Sequence, residues 1–232
     1  MKPRILGLAL LAALGLAACG DDDNSSPDVN NGITARLRAV HVAPGTNSLD
    51  VLVGGTPQFT NIAYGQPTDY QEVPTGSQTL TLVATGDTTT YGSLTRTLEL
   101  NQNYTLLATG LPGAVEPVLL TDTSTAPASG KIRLRLVHAS PSAGAVDVYV
   151  GAQDQDIASV TPTLSNVTTG TASDYLTLDA GTYRIRLTAL GGKDPLFDET
   201  VTVSEGAVRT IIVRDAAAGG VPLGAVVLDD RA

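Results

Sequence analysis

Beyond residue 33, hydrophobic and polar residues alternate with a period of two, in runs short enough to be strands. Turn residues interrupt these runs about every 8 to 12 positions, a spacing typical of sandwich domains. Helical periodicity is absent apart from a short alanine run at Ala216, Ala217 and Ala218.

The pattern also repeats. "RLRAVHVAPGTNSLDVLVG" begins at Arg36, and "RLRLVHASPSAGAVDVYVG" begins 97 positions later at Arg133. The first strand is expected over 35–41 in copy one and 132–138 in copy two. Leu37 and Ala39 alternate with Arg36 and Arg38, and Leu134 and Leu136 with Arg133 and Arg135. One face is therefore expected to be apolar and the other solvated. A turn with Pro44 or Pro141 follows, then a second strand over 49–53 or 146–150. The next matching blocks begin at Asn61 and Asn166, an offset of 105, so copy two carries eight extra residues within "AQDQDIASVTPTLS". These are expected to lengthen a loop. Asp69-Tyr70 and Asp174-Tyr175 open a further strand, and Gly76 and Gly181 are placed in tight turns that need a positive φ. A strand follows in which Tyr183, Ile185 and Leu187 alternate with Arg184 and Arg186. Residues 94–100 with 104–108, and 197–203 with 208–213, are read as hairpins. A last strand falls at 118–121 and 225–228.

The reading is all-β, with about seven strands in each of two domains of ~90 to 100 residues. They form two tandem antiparallel β-sandwich domains, Ig-like or transthyretin-like. Domain 1 spans 33–122, a linker 123–130 and domain 2 131–232. A linker this short limits relative motion of the domains.

The residues before these domains read differently. Lys2 and Arg4 precede an apolar run of 14 residues, 5–18, too short to cross a bilayer comfortably and suited to a signal-peptide core. Leu16, Ala17, Ala18 and Cys19 resemble the bacterial lipobox, which implies a signal peptide over 1–18 and a covalent lipid on Cys19. Cys19 is the single cysteine, so no disulfide can form within the chain. Residues 19–32 comprise that acylated cysteine and an acidic tether too polar to bury a core. Gly20 after Cys19 favours the outer membrane, with the domains on its periplasmic or surface face. Cleavage after residue 18 leaves 12 basic and 23 acidic residues, a net charge of −11. Such a domain suits phosphate backbones poorly, which argues against nucleic acid. With no Trp, two Phe and seven Tyr, the chain is poor in stacking platforms.

The candidate chemistry centres on His41 and His138, the only histidines, each followed by an aspartate, Asp50 or Asp147. A His and an Asp per domain make an incomplete zinc site, and no nucleophile elbow is present. Each His lies in phase with the apolar side of its strand and ends it before the proline turn. Each Asp sits mid-strand among aliphatics, where it needs a partner, with the His and the strand-one arginines the local candidates. The favoured reading is a repeated structural His/Asp clasp between the first two strands. Asp154 and Asp156 could supply calcium oxygens but lack an EF-hand frame, so a solvated loop is favoured. Asn166-Val167-Thr168 matches a glycosylation acceptor. Tyr70 and Tyr175 are read as packing residues rather than sugar platforms.

"VHASP", "VDVYVG" and "SDYLTLDAGTYRIRL" resemble the bacterial envelope family called domain of unknown function 4397. The resemblance extends over residues 35 to 230, with copy one departing at Val42 and Ala43, where copy two has Ala139 and Ser140. It implies a β-sandwich, tandem copies and an exported or lipid-anchored location, and it implies no catalytic residues. The expectation is a non-enzymatic lipoprotein without metal or cofactor beyond the lipid, held to the membrane by that lipid. Its domains act as a protein-interaction or structural module of the envelope. The alternative is a polysaccharide- or peptidoglycan-binding module.

Overall fold

The computed structural model describes residues 34–123 and 125–231. The expected signal peptide, the lipobox-like residues Leu16, Ala17, Ala18 and Cys19, and the expected tether lie outside the described residues. These described residues make one compact unit.

Copy one contains two sheets. In the first, β4 (Gln71–Pro74), β1 (Thr34–His41), β7 (Asn103–Thr109) and β8 (Glu116–Asp122) lie in that order. In the second the order is β3 (Thr56–Ile62), β2 (Leu49–Val53), β5 (Gly76–Ala84) and β6 (Thr90–Leu98). Copy two repeats the plan. Its first sheet is β12 (Thr171–Ala172), β9 (Lys131–Ala139), β16 (Val208–Arg214) and β17 (Gly224–Asp229), with β13 (Leu176–Asp179) also on β9. Its second is β11 (Leu164–Val167), β10 (Val146–Gly151), β14 (Gly181–Ala189) and β15 (Pro195–Val203).

Alternation along the strands assigns the cores. In β1, Ala35, Leu37 and Ala39 enter the core of copy one, together with Val51, Leu80, Leu82 and Leu106. In β9, Leu134 and Leu136 enter the core of copy two with Val148, Ile185 and Ile211. The opposite faces of these strands are not solvated as their arginines suggested. Val40, Val42, Leu107 and Leu120 of copy one pack with Val137, Ala139, Ile212, Val226 and Leu228 of copy two as a third apolar cluster. The β1 and β9 sheets thus cover one another, and Arg38 and Arg135 are each only 4 % exposed. Each fully buried Val, Leu or Ile stabilises such a layer by about 1.5–3 kcal/mol.

Three further expectations are corrected. The sandwiches are not wholly antiparallel, because β1 pairs β7 in parallel and β9 pairs β16 in parallel. The supposed hairpins are crossings: β6 pairs β5 in one sheet while β7 joins β1 in the other, and β15 and β16 divide in the same way. The first crossing is pinned by the Tyr104 hydroxyl, which accepts the Glu99 N–H at 2.9 Å, and by Asn101 at φ +59°. Counted among the described residues, the strands number eight in copy one and nine in copy two rather than about seven, because the sequence reading has no strand at β3, at its counterpart β11 or at the short β12.

The extra residues of copy two form a loop holding a single 3₁₀ turn, Ile157–Ser159. Lys193 ties this loop down, its Nζ donating to Ile157 O at 2.7 Å, Val160 O at 2.9 Å and Tyr149 Oη at 3.0 Å.

Gly76 does adopt φ +84°, but Gly181 opens β14 without a positive φ. Neither glycine has a heavy atom within 4 Å of where a Cβ would stand. Gly76→Ala should therefore cost roughly 1–2 kcal/mol through the left-handed backbone alone. Gly181→Ala should be neutral or slightly stabilising. Urea unfolding of the two variants checks the difference, and equal costs would refute it.

Candidate functional site

His41 ends β1 and His138 is the last residue but one of β9, at 0 % and 2 % exposure. Each clasps the proline turn that follows it. His41 Nε2 donates to Asn47 O at 3.1 Å, and its Nδ1 accepts the Ala43 N–H at 3.3 Å. His138 Nε2 donates to Gly144 O at 2.7 Å, and its Nδ1 accepts the Ser140 N–H at 3.5 Å. Both rings therefore use the neutral tautomer, one nitrogen donating and the other accepting. Burial holds both below the ordinary imidazole value.

The aspartates do not meet these histidines, nor the strand-one arginines. Leu49 and Val51 face Ile62 and Phe59, and Val146 and Val148 face Val167 and Leu164, so β3 and β11 each bulge opposite an aspartate. Asp50 fills its bulge by accepting the Asn61 N–H at 2.7 Å and the Thr85 hydroxyl at 2.6 Å. Asp147 accepts the Asn166 N–H at 3.0 Å, the Ser165 hydroxyl at 2.7 Å and the Gly191 N–H at 2.9 Å. Burial opposes the charge on Asp147, but these hydrogen bonds outweigh it and hold the carboxyl below its usual range. Asn61 and Asn166 both sit at φ +56°, a left-handed position asparagine tolerates. The repeated partner of each aspartate is thus an asparagine, and the glycosylation-like Asn166 has a backbone reason to be there. Asp156 accepts the Ala158 N–H at 2.9 Å and caps the 3₁₀ turn, while Asp154 is exposed. Among the described residues no three His, Cys, Asp or Glu side chains gather as a metal site.

The residues that do gather lie in the seam between the copies. Arg38 of copy one donates through Nη2 to Asp230 of copy two, through Nη1 to Asp229 O at 2.8 Å, and through Nε to Thr105 Oγ1 at 2.8 Å. Arg135 of copy two donates through Nη2 to Asp122 of copy one, through Nη1 to Thr121 O at 2.9 Å, and through Nε to Thr210 Oγ1 at 2.9 Å. Thr105 and Tyr70 hydroxyls then donate to Asp122 Oδ2 at 2.5 and 2.7 Å. Thr210 and Tyr175 hydroxyls donate to Asp230 Oδ2 at 2.6 and 2.7 Å. The Arg38 and Arg135 guanidiniums stand 4.5 and 4.7 Å from the Tyr70 and Tyr175 ring centroids. Burial and the neighbouring carboxylates push the Tyr70 hydroxyl far above its ordinary range. Burial and Asp230 do the same for Tyr175 against the pull of Arg135, so both phenols remain donors.

Each arginine is therefore answered by the other copy's aspartate, an exchange with two-fold character. The sequence carried the signal. Arg38 and Arg135, Tyr70 and Tyr175, Thr105 and Thr210, and Asp122 and Asp230 hold matching places in the two repeats, but alternation alone points the arginines to solvent.

Residues 35–149 match the family described as Domain of unknown function (DUF4397). The match spans copy one, β9 and most of β10, and stops short of the remainder of copy two that the sequence resemblance took in. No curated protein matches the chain. Among solved structures, the chain is similar to family 41 carbohydrate-binding modules from streptococcal virulence factors, described as recognising α-glucan. The identity is 11 %, the TM-score 0.28, and the coverage 80 % of this chain and 95 % of that one. A second streptococcal virulence factor, described by its α-glucan binding, gives 9 % identity and a TM-score of 0.26, with 77 % and 92 % covered. The Bacillus anthracis TIE protein gives 11 % identity and a TM-score of 0.25 over 78 % of this chain but only 34 % of its own.

Two outcomes follow from this geometry. Arg38→Met leaves Asp230 only the longer ion pair to Arg135, at 3.9 Å, and should cost roughly 3–5 kcal/mol. Both copies should unfold in one shared transition. Separate transitions, or a loss under about 1 kcal/mol, would contradict the seam's role. The histidines set a second test. As pH falls below their ordinary 6.5 the unfolded chain binds protons that the native rings refuse, so their contribution is complete above that pH and lost below it. His138→Gln should lower stability by about 1–3 kcal/mol at neutral pH. It should also flatten the decline between pH 6.5 and 5, read from thermal midpoints across a pH series. An unchanged slope would sink the assignment.

Proposed function

We propose that this chain, whose residues 35–149 belong to the family described as Domain of unknown function (DUF4397), is a non-catalytic, lipid-anchored protein of the cell envelope. Its two fused sandwiches act as one rigid protein-interaction module. The observation that carries this reading is the reciprocal Arg–Asp exchange. It commits Arg38, Arg135, Asp122, Asp230, Tyr70 and Tyr175 to holding the copies in one fixed arrangement. The histidines and mid-strand aspartates are likewise spent on turns and bulges. A fixed pair of sandwiches presents a pre-organised surface, which lowers the ordering cost of binding a partner. Lipid on Cys19 and the acidic tether 19–32 would hold that surface near the outer membrane, on its periplasmic or outer face.

The polysaccharide- or peptidoglycan-binding alternative rests on a groove of about 400 Å³ at one mouth of the seam, lined by Arg36, Asp69, Tyr70 and Asp229. The groove offers polar groups and a tyrosine. Against it, the guanidiniums of Arg36 and Arg38 lie 5.0 and 4.5 Å from the Tyr70 ring centroid, so that ring is already engaged. The protein-interaction reading is preferred for that reason.

Cross-linking in intact cells followed by mass spectrometry should capture a defined envelope protein, and Cys19→Ala should move the chain from the membrane to the soluble fraction. Glycan and peptidoglycan pull-downs should stay blank. Retention on glycan with no protein captured would reverse the order of the two readings.

A further inference from the structure

The seam is two-fold at its centre but not at its rims. On one rim Tyr64 of copy one meets Arg214 of copy two, the guanidinium 4.7 Å from the ring centroid. The Tyr64 hydroxyl and Arg214 Nη1 both donate to Asp215 O, at 2.7 and 3.1 Å. Arg214 fills this rim so closely that a Cβ on Gly65 would stand 2.8 Å from its Nη2.

The repeat places Thr169 where Tyr64 stands, Gly170 for Gly65 and Thr109 for Arg214. Strand register adds Glu116 for Gly224, since Thr109 faces Glu116 as Arg214 faces Gly224. Two large side chains are thus replaced by threonines on the second rim. A cleft of about 470 Å³ opens there, lined by Thr109, Leu111, Glu116, Val118, Pro141 and Thr171 among others. A Cβ on Gly170 would meet only Val118, at 3.8 Å.

The vacated space offers groups of its own that an arginine could use. Thr109 is 4 % exposed, and its Oγ1 is buried with no hydrogen-bond partner among the described residues. Strand alternation puts it on the seam-facing side of β7 with Thr105 and Leu107. An unpaired buried hydroxyl is costly, and a donor entering the cleft would relieve it. Glu116 is exposed and makes no ion pair among the described residues, in a chain of net charge −9. Leu111, 48 % exposed, with Val118 and Pro141, offers an apolar wall for an aliphatic stem.

We propose that this cleft receives an arginine side chain of a partner protein, which takes the place that Arg214 fills in the opposite rim. The partner's guanidinium pairs with Glu116 and the Thr109 hydroxyl, and its methylenes lie on Leu111 and Val118. This inference rests on the protein-interaction reading and gives the partner its chemistry: a basic, arginine-bearing surface.

The test is a titration of the intact chain with Nα-acetyl-arginine methylamide, read from amide shifts at Thr109, Gly110, Glu116 and Gly170. Saturable shifts are expected, with Kd in the millimolar range for so small a fragment. The uncharged citrulline counterpart should bind about tenfold more weakly, and Glu116→Gln should weaken arginine binding by a similar factor. The double variant Thr109→Arg/Thr169→Tyr rebuilds the opposite rim's plug and should abolish binding. Glu116→Gln changes only an exposed side chain and stays informative if the double variant fails to fold. Equal binding of citrulline, or no saturable shift, overturns the proposal, as does binding undiminished in a folded plugged variant. In-cell cross-links that survive the plug would remove the cleft while leaving the wider interaction reading intact. Absence of any cross-linked protein would remove both.

Discussion

Everything in this molecule depends on two buried guanidiniums finding their counter-charges in the opposite repeat. Within its own copy each aspartate, Asp122 or Asp230, has a threonine and a tyrosine hydroxyl and only a long ion pair, 3.7 Å to Arg38 or 3.9 Å to Arg135; the short charge-assisted contact comes from the other copy. The desolvation cost of an ion in a protein interior is several kcal/mol, and it is recovered only where geometry is good and the remaining lone pairs are satisfied. Here both conditions hold. Two arginines and two aspartates balance in charge, every carboxylate oxygen has a donor, and each guanidinium lies beside a tyrosine ring. The exchange is weak evidence for net stability over an apolar seam. Its stronger consequence is specificity, because only one register of the two sheets pairs all four charges.

That register also explains the apolar layer around the charges. Val40, Leu107 and Leu120 meet Val137, Ile212 and Val226 in the same register in which Arg38 reaches Asp230 and Arg135 reaches Asp122. The hydrophobic contacts supply non-directional attraction, and the ion pairs select among the ways two similar sheets could slide. The parallel pairing of β1 with β7 and of β9 with β16 serves the same end. It sets Arg38 beside Thr105 and Arg135 beside Thr210, so each guanidinium is braced from its own sheet before it crosses the seam.

Much of the fold was legible because strand alternation and turn residues are local signals. The starts of β1, β2, β9 and β10 could be read within a residue or two, and the repeat fixed their correspondence. What could not be read was anything that depends on a second surface. The alternation of Arg38 with Leu37 and Ala39 is the same whether its polar face meets water or another protein layer. The crossing from β6 to β7 looks like a hairpin because a short polar break between strands does not say which sheet receives the chain. The histidine and aspartate looked like a pair because both recur at a fixed distance, yet each answers a separate local need. His138 ties a turn, and Asp147 satisfies a bulge that only strand pairing reveals.

The same dependence decides where the two repeats are free to differ. A change at Arg38 or Asp122 removes the short ion pair from a buried charge in the other copy, so the centre of the seam ties both repeats to one solution. The rims carry no such reciprocal debt. There, Tyr64 against Arg214 and Thr169 against Thr109 are two fillings of equivalent ground, one closed by the chain itself and one left open. The eight extra residues of copy two, held down by Lys193, lie likewise outside the exchange. A duplicated domain that locks onto itself thereby gains what a symmetric pair of identical subunits lacks: a rim that can be altered on one side without altering the other. Departures from the two-fold are thus the places where a distinct surface could arise at no cost to the seam.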